Sequence, residues 1–388
     1  MSWDAVHLFE CPTRVFYGRG ASRGVSDRLA ELGVTRALLV SDRGVEAAGT
    51  VAAVGDAIQA AGIDLAVYVD TQPNPTTTNV AEASALYRER GCDGIVGLGG
   101  GSSMDCAKGA GIEIACGGHV AEYRGIGNVP SDLPPLCCIP TTCGTGAEVT
   151  FNAVITDPNE HFKLVYVTRR LAPDVALVDP ALVETAPPPV IAATAADALA
   201  HAVESYVNTG SDPLLDSINI AAIRMIGTNL RAAVRDTDPE AIEQLALAST
   251  MAGIAFNMNA NAIVHAASTP VTARHGVPHG VANGIFMPYG LAFLAPACQR
   301  QLREIADALG EDVAGLSDEE AAQRGVEAVR ALVQEVGIPA TLKDYGLDPA
   351  DLDIPQLVED AMKSRNIVTN PRPVTPADLE ELYRAVSG

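Results

Sequence analysis

The sequence predicts an α/β N-terminal domain built on a mostly parallel sheet, followed by an all-α C-terminal domain. Three observations lead to this prediction: short apolar segments alternate with amphipathic ones in the first half, a run of prolines follows, and long helical patterns fill the remainder. Strands that alternate with helices form a parallel sheet covered on both faces. The segments predicted as buried strands are 36–42, 64–70, 93–100, 136–142 and 175–180.

Helices are predicted between these strands and throughout the second half of the chain. Segments 151–157 and 163–167 are predicted to pair as a separate hairpin. The prolines in 184–190 mark a boundary, so the expected domains are residues 1–185 and 186–388. The segments predicted as helices from their apolar spacing are 45–62, 76–91, 191–207, 216–234, 241–257 and 319–337.

Composition and charge exclude several classes of function. The 388 residues are 48% hydrophobic and 19% charged, as in ordinary globular proteins. A net charge of −22 argues against nucleic-acid binding, which needs basic patches, and disfavours an anionic membrane surface. No apolar run approaches the length of a membrane span, and the N-terminal residues show no secretory leader. We therefore expect neither a nucleic-acid nor a membrane partner.

The eight cysteines form no CxxC pair, and most lie in apolar or glycine-rich segments. In a chain of this size without a leader, such cysteines are predicted to be buried thiols rather than disulfides. Their spacing also argues against a structural zinc site.

A glycine-rich segment follows the third predicted strand and opens a helix: GLGGGSSMDCAKGAG, residues 97–111. Glycines let the backbone approach a ligand closely, and a helix N-terminus presents N–H groups and positive charge to an anion. Ser102 and Ser103 add hydroxyl groups at the same point. The segment suits a dinucleotide pyrophosphate. The alternative is a tight turn that binds nothing, since the pattern is not GxGxxG.

A second glycine-rich turn, PTTCGTGAEVT at 140–150, follows the fourth predicted strand. Two such turns in one α/β domain are typical of a cofactor that lies across the carboxyl edge of the sheet. Asp42 ends the first strand, where an acid accepts hydrogen bonds from ribose hydroxyls and repels a 2′-phosphate. This favours NAD over NADP. The alternative for Asp42 is that it only caps a helix.

Four side chains in the second half form a candidate metal site. Asp197 and His201 lie four residues apart in an alanine-rich helical segment, so they share one helix face. His265 lies in another helical segment, and His279 follows a proline turn. One carboxylate and three imidazoles suit Fe²⁺, Zn²⁺, Mn²⁺ or Co²⁺. A single histidine is more often structural than a ligand, so the spacing alone leaves that alternative open.

Taken together, the motifs resemble those of the iron-containing alcohol dehydrogenases, in order and over nearly the whole chain. They are GGGSSMDCAK, PTTCGTGAEVT, AADALAHAVES, the pair HAAS and VPHGVANG, and the ending VTNPRPVTPADLEELY. The resemblance implies a nucleotide-binding α/β domain joined to a helical domain, with NAD(H) and a divalent metal, most commonly Fe²⁺, as cofactors. It also implies a cytoplasmic homodimer.

The resemblance also assigns roles to individual residues. The metal ligands are Asp197, His201, His265 and His279. The cofactor contacts are Asp42, Gly99, Gly100, Gly101, Ser102, Asp105, Thr141, Thr142, Thr145 and Lys163. The residues that line the substrate pocket are Asn152, which is also a catalytic candidate, and Phe256.

Two departures from the family pattern bear on the chemistry. Thr269 stands where many members carry a histidine linked to a proton relay, and His275 is the candidate substitute. The segment AFNMNANAIVHA is more polar than is usual in the family. Asn261 and Arg274 are therefore candidates for contact with a polar or anionic substrate. The alternative is that the asparagines satisfy backbone groups.

The predicted function is hydride transfer between NAD(H) and a small polar aldehyde/primary alcohol pair, neutral or anionic. The metal would act as a Lewis acid on the substrate oxygen. The alternatives are a maleylacetate-reductase-like enzyme, a lyase of the dehydroquinate-synthase type, and a non-catalytic metal or nucleotide sensor.

Overall fold

The computed structural model describes residues 6–158 and 162–388. Residues 1–5 and 159–161 lie outside this description. The first of these ranges includes the start of the N-terminal segment for which no secretory leader was expected. The described residues divide into two compact units, one of residues 11–186 and one of residues 187–388 together with residues 6–10.

The first unit contains the described strands. They are β1 (Arg14–Tyr17), β2 (Arg36–Val40), β3 (Asp64–Tyr68), β4 (Gly94–Gly99), β5 (Gly125–Ile126), β6 (Leu136–Pro140), β7 (Asn152–Asp157), β8 (Phe162–Val167) and β9 (Val175–Val178). Six of them form a parallel sheet in the order β1-β9-β6-β4-β2-β3. The other three form a small sheet in the order β5-β8-β7, in which β7 and β8 are antiparallel. The five predicted strands and the predicted hairpin are confirmed.

The central strands are buried on both faces, which explains their continuous apolar sequence. On β2, Leu38 and Val40 pack into one hydrophobic cluster, while Ala37 and Leu39 pack into a second cluster on the opposite face. Alternate residues of a strand point to opposite faces, so both clusters require apolar side chains. Strand β1 was not predicted because it is a short edge strand with mostly exposed side chains.

Helices cover the sheet and make up the second unit. Those of the first unit are α1 (Val25–Glu31), α2 (Arg43–Ala47), α3 (Thr50–Ala60), α4 (Thr77–Arg90), α5 (Gly101–Cys116) and α6 (Pro180–Val183). Those of the second unit are α7 (Pro188–Val207), α8 (Pro213–Arg235), α9 (Pro239–Asn259), α10 (Ile263–His275), α11 (His279–Leu294), α12 (Gln299–Ala308), α13 (Asp318–Glu335), α14 (Leu342–Tyr345), α15 (Ile354–Met362) and α16 (Pro376–Ser387). The predicted helix at 45–62 is two helices, because Gly49 between them adopts a φ of 81°.

Helix α7 is the centre of the second unit. It begins at Pro188, where a proline is tolerated because the first turn needs no N–H donor, and its alanine-rich sequence favours a helix. It packs against α8, α9, α10 and α11. Small side chains allow these close approaches, and most of α7 is buried. Asp197, His201 and Glu204 on α7 are among the buried residues.

One segment among the described residues, His279–Ala297, is long and apolar enough to cross a membrane by length and composition. Such a run was not expected from the sequence. In the structure 56% of its most apolar stretch is buried inside the protein. A helix that other helices surround is apolar on most sides, so it passes a composition test for membrane spans.

Candidate metal centre and cofactor loops

The glycine-rich segment links the end of β4 to the start of α5. Gly99 has a φ of 143°, and a Cβ there would lie 2.6 Å from the Ser103 Oγ. A Cβ on Gly101 would lie 2.7 Å from the Thr145 Cγ2. Glycine is therefore required at both positions. The N-cap, Gly100, provides no side-chain cap, so the first N–H groups of the helix have no side-chain acceptor at the cap.

The threonine-rich turn lies directly beside this segment. Strands β4 and β6 are neighbours in the sheet, and the Thr141 N–H donates to the Gly99 carbonyl at 3.0 Å. A Cβ on Gly100 would lie 3.5 Å from the Thr142 side chain. The two glycine-rich turns are thus adjacent at the carboxyl edge of the parallel sheet. Parallel neighbouring strands end at the same edge, which is why two distant sequence motifs meet there.

Asp42 both caps a helix and contacts the glycine segment. Its Oδ1 accepts from the backbone N–H groups of Gly44 and Val45 at 2.9 and 3.0 Å, which caps α2. Its Oδ2 accepts from the Ser103 hydroxyl at 3.0 Å. The two interpretations of Asp42 are therefore compatible, because the cap fixes the carboxylate at the edge of the sheet.

Sequence reasoning did not single out Asn74, which also lies at this edge. Its backbone N–H donates to the Ser102 Oγ at 3.2 Å, and its φ of 57° is unusual for a residue other than glycine. The segment PNP at 73–75 is the signal that points to it, because prolines on both sides mark an irregular loop.

A group of charged side chains, fully or partly buried, lies behind the glycine segment. The Asp105 carboxylate accepts from the Val154 N–H at 3.0 Å, so it joins α5 to β7. Burial raises the pKa of Asp105 to about 6, although Lys108 and Lys163 oppose this shift. Burial lowers the pKa of Lys163 to about 8, against the effect of Asp105.

Lys108, which was not predicted, completes this group. It is fully buried and donates to the carbonyls of Ala147, Thr150 and Asn152 at 2.7–2.9 Å. The ammonium group thereby ties the end of the threonine-rich turn to the start of β7. Asn152 itself is half-buried at the first position of β7.

Three of the four candidate metal ligands, Asp197, His265 and His279, converge within the second unit, and His201 lies beside them. Oxygen and nitrogen ligand atoms of Asp197, His265 and His279 all lie within 4.8 Å of one another. The Asp197 Oδ1 is 3.7 Å from the His265 Nε2 and 3.8 Å from the His279 Nε2. The His201 ring stacks on the His265 ring with 4.5 Å between centroids. Three helices, α7, α10 and α11, supply these side chains.

The electrostatics of the cluster favour a cation. Burial would raise the pKa of Asp197, but His201, His279 and His265 lower it well below its usual range. Burial lowers the pKa of His265, and the carboxylates of Glu204 and Asp197 outweigh this and raise it to about 9. The cluster thus presents a buried carboxylate and imidazoles whose positive charge stabilises it. One carboxylate oxygen and two imidazole nitrogens, with a third imidazole stacked beside them and no thiolate, fit a divalent transition metal.

Asn283 is a further polar residue of the cluster that sequence reasoning missed. Its Nδ2 lies 2.6 Å from the Asp197 Oδ1, 3.0 Å from the His265 Nε2 and 3.2 Å from the His279 Nε2. The Ser268 hydroxyl donates to its Oδ1. The Asn283 amide thus lies against one carboxylate oxygen and one nitrogen of each of two imidazoles. These three atoms therefore face one place, as the ligands of a metal must.

Comparison with known proteins gives the family. Residues 12–180 match the family described as "Iron-containing alcohol dehydrogenase", and residues 191–387 match "Fe-containing alcohol dehydrogenase family, C-terminal". The chain belongs to the iron-containing alcohol dehydrogenases. Both the predicted family and the predicted fold class are confirmed.

Relatives and solved structures match this dehydrogenase over nearly its whole length. It is 39% identical over 377 residues to the 1,3-propanediol dehydrogenase of Citrobacter freundii, covering 96% of this chain and 97% of the relative. It is 39% identical over 371 residues to the lactaldehyde reductase of Escherichia coli (strain K12), covering 95% and 96%. The structure of sulfoacetaldehyde reductase from Bifidobacterium kashiwanohense in complex with NAD⁺ matches with a TM-score of 0.86 and 30% identity, covering 100% of this chain and 99% of that one.

The predicted enzyme class is therefore confirmed. The chain is an NAD(H)- and divalent-metal-dependent oxidoreductase that acts on alcohols and aldehydes. The maleylacetate-reductase, lyase and sensor alternatives are not favoured.

The structure also gives the positions of the proposed substrate residues of this dehydrogenase. Phe256 stacks on His201 with 4.1 Å between ring centroids, so it adjoins the metal cluster. Asn261 lies in the short connection between α9 and α10, directly after Ala260, whose φ of 78° turns the chain. Its side chain is buried, and its Oδ1 has no hydrogen-bond partner among the described residues.

Arg274 and His275 lie at the other end of α10. The Arg274 Nε donates to the Asp360 carboxylate at 2.7 Å, and this ion pair is at the surface. His275 is the last residue of α10, ten residues after His265. At 1.5 Å per residue, it lies about 15 Å along the helix from His265. The Thr269 hydroxyl donates to the His265 carbonyl at 2.7 Å, within the same helix.

Proposed function

We propose that this dehydrogenase interconverts small, uncharged aldehydes that carry a hydroxyl group and the corresponding primary alcohols. The observation that carries the proposal is the buried Asn261 Oδ1, which has no partner among the described residues. A buried acceptor without a partner costs free energy, so a ligand hydroxyl that donates to it is favoured. The substrates named in the two relatives above, 1,3-propanediol and lactaldehyde, both carry such a hydroxyl.

The other asparagines of this segment are less suited to a substrate contact. Asn259 and Ser205 are joined by two hydrogen bonds, one to the Ser205 carbonyl and one from its hydroxyl. Asn208 donates to the carbonyls of Asn259 and Ala260. These side chains hold the turn between α9 and α10 in place. We therefore assign the polar contact to Asn261 rather than to Asn259.

An anionic substrate is less well supported, because the guanidinium of Arg274 already pairs with Asp360 at the surface. The ion pair as a whole is neutral, so it attracts a second anion only weakly. We give no substrate role to Arg274, and an anionic substrate becomes one outcome of the test.

We propose Asp197, His201, His265 and His279 as the ligands of the metal, Fe²⁺ in the first instance. When bound, the metal supplies Lewis-acid polarisation of the alcohol or aldehyde oxygen. Around it, the buried Phe256 excludes water from one side of the cluster through its contact with His201. Exclusion of water strengthens the electrostatic interactions of a site.

We propose that the cofactor binds at the carboxyl edge of the parallel sheet. The glycines Gly99, Gly100 and Gly101, with the α5 N-terminus, hold the pyrophosphate, and Asp42 accepts hydrogen bonds from the adenosine ribose. NAD(H) supplies the hydride chemistry. The remaining proposed contacts are Ser102, Asp105, Thr141, Thr142, Thr145 and Lys163, with Asn152 as a substrate contact. Asp105 acts from behind the segment, through its position between α5 and β7.

The proton path is proposed without a histidine. Thr269 replaces the family histidine, and its hydroxyl already donates to the His265 carbonyl. His275 lies about 15 Å away along α10, too far for direct proton transfer. We therefore propose that solvent and the cofactor ribose hydroxyls carry the proton, and we give His275 no catalytic role.

We also propose a cytoplasmic homodimer without membrane or nucleic-acid partners. Eight free thiols suit a reducing compartment, and a net charge of −22 disfavours polyanions. Edge strand β1 carries the exposed aromatic side chains Phe16 and Tyr17, which support pairing with a second copy. Light scattering coupled to size-exclusion chromatography tests the dimer.

The test of the substrate proposal compares aldehydes that differ by one group. Lactaldehyde, propanal and sulfoacetaldehyde are each offered to Fe²⁺-loaded protein with NADH under anaerobic conditions, and kcat/KM is measured. We expect lactaldehyde to exceed propanal by about tenfold, the value of one hydrogen bond. In Asn261→Leu this ratio falls towards one, since the acceptor is gone.

Two results would contradict the substrate proposal. A preference for sulfoacetaldehyde over both neutral substrates would assign the enzyme to anionic aldehydes. An unchanged ratio in Asn261→Leu would show that another residue recognises the hydroxyl.

A further inference from the structure

Helix α7 carries a carboxylate, Glu204, on the same face as the two proposed metal ligands Asp197 and His201. Glu204 lies seven residues after Asp197 and three after His201, so all three share one face of the helix. Its side chain is fully buried. A buried carboxylate requires partners, and the partners of Glu204 are all on α10.

The Glu204 carboxylate accepts three hydrogen bonds from two consecutive residues. Its Oε1 accepts from the Val264 N–H at 2.6 Å, and its Oε2 accepts from the His265 N–H at 3.2 Å. The His265 Nδ1 also contacts the Oε2. A carboxylate only accepts, so this contact requires a hydrogen on Nδ1. A metal displaces the proton from the other nitrogen, so an imidazole that binds one through Nε2 keeps its hydrogen on Nδ1. Nε2 is the atom 3.7 Å from the Asp197 Oδ1.

Two roles are open to Glu204 from these contacts. The N-cap of α10, Ala262, has no side-chain cap, and two residues from other elements replace it. Asn370 accepts from the Ile263 N–H at 2.8 Å, and Glu204 accepts from the next two N–H groups. If Glu204 were purely structural, it would only cap α10, as Asn370 does. Glu204 differs from Asn370 because it also contacts the His265 imidazole.

We propose that Glu204 is a positioning residue for the metal centre. It fixes His265 as the Nδ1–H tautomer and holds the ring so that Nε2 faces Asp197 and His279. A carboxylate bonded to the far nitrogen of a ligand histidine orients the ring and increases its basicity. This inference rests on the metal site in the proposed function.

Glutamine cannot replace Glu204 in this role, although it has the same shape. Three N–H groups point at the two carboxylate oxygens. A glutamine offers one oxygen and one NH₂ group, so a donor would face a donor. Glu204→Gln therefore disturbs either the helix cap or the His265 imidazole.

The experiment measures Zn²⁺ affinity by chelator competition, starting from metal-free protein. We expect Glu204→Gln to bind Zn²⁺ about 10- to 100-fold more weakly than the wild type, as for other outer partners of metal ligands. Asn370→Ala is the matched control, because it removes the other cap of α10 without contact to the imidazole. We expect it to lower the melting temperature and to change the Zn²⁺ affinity by no more than about twofold.

A measurement on the wild type covers the case in which Glu204→Gln fails to fold. Nitrogen-15 NMR of the histidine side chains in the Zn²⁺-loaded protein reports which nitrogen of His265 carries the proton. We expect a proton on Nδ1 and the metal on Nε2. An unprotonated Nδ1, or equal Zn²⁺ affinity in Glu204→Gln, would overturn the role of Glu204 alone. A wild type that binds no Zn²⁺ or Fe²⁺ would overturn the metal site as well.

Discussion

Two aspartates with shifted pKa values, one in each unit, have different charge partners. Asp105, behind the glycine segment, lies near Lys108 and Lys163, so lysine side chains of the protein supply the opposite charge. Asp197, in the helical unit, has His201, His265 and His279 as its charge partners. An ammonium group is a permanent cation at neutral pH unless burial removes its proton, whereas an imidazole is a cation only when protonated.

This difference explains which carboxylate has room for a metal. Lys108 and Lys163 supply positive charge near Asp105, and Lys108 joins α5 to the threonine-rich turn and to β7. Histidines can give up their protons and offer lone pairs instead, as a divalent cation requires of its ligands. The same residue type is thus a structural link in one unit and a candidate metal ligand in the other.

The largest expected effect is the loss of metal binding in His265→Ala, which should change the helical unit and leave the cofactor loops unchanged. The variant lacks one nitrogen donor, and we expect its metal affinity to fall by more than about 100-fold. Loss of a residue that only hydrogen-bonds to a metal ligand already lowers metal affinity by about 10- to 100-fold. Most turnover should be lost with it. NADH affinity, measured by fluorescence titration, should stay within about twofold, because the cofactor loops belong to the other unit.

The control for this experiment is His275→Ala, at the far end of the same helix. We expect it to retain metal and turnover, since His275 lies about 15 Å along α10 from His265. Unchanged metal content in His265→Ala would refute the ligand assignment.

The reverse experiment disturbs the cofactor loops and leaves the metal centre intact. In Gly101→Ala the new Cβ would lie 2.7 Å from the Thr145 side chain, so one of the two turns must shift. We expect NADH affinity to fall by about tenfold or more, at a stability cost of about 1–3 kcal/mol, with metal content unchanged. Isothermal titration and metal analysis measure the two quantities.

Gly100→Ala is the matched control, because its Cβ would meet Thr142 at an ordinary 3.5 Å. Its stability should be close to that of the wild type. If Gly101→Ala bound NADH as tightly as the wild type, the glycine segment would not be the pyrophosphate site.

The smallest expected effect is a change with pH in the stability that Lys163, the lysine beside Asp105, contributes. Burial lowers the pKa of Lys163 to about 8 from 10.5, so between these values the unfolded chain holds a proton that the folded chain has released. Stability contributed at this site therefore rises as pH increases from about 8 to 10.5, by at most about 3 kcal/mol.

Lys163→Met should remove this dependence. We expect the variant to gain melting temperature relative to the wild type at pH 7, and the gain to shrink by pH 10. Calorimetry at both values measures the difference between the two proteins. A difference that stays constant with pH would mean that Lys163 titrates in the folded protein as it does in water.

Much of the fold was predictable because its signals are local. A strand buried on both faces needs an unbroken apolar run, and β2, β4, β6 and β9 each have one. Edge strand β1 has no such run and was not predicted. The break between α2 and α3 was also missed, because a single glycine within an alanine-rich pattern does not by itself indicate a left-handed residue.

The candidate site divides in the same way. The sequence by itself determined the residue types for the metal cluster and the two glycine-rich turns, because that chemistry requires particular side chains at particular spacings. Only the tertiary structure decided that Glu204 contacts His265, that Asn283 faces three ligand atoms, and that Asp360 neutralises Arg274. Each of these contacts joins side chains from different elements, and no periodicity along a chain encodes which buried partner a carboxylate, an amide or a guanidinium will meet.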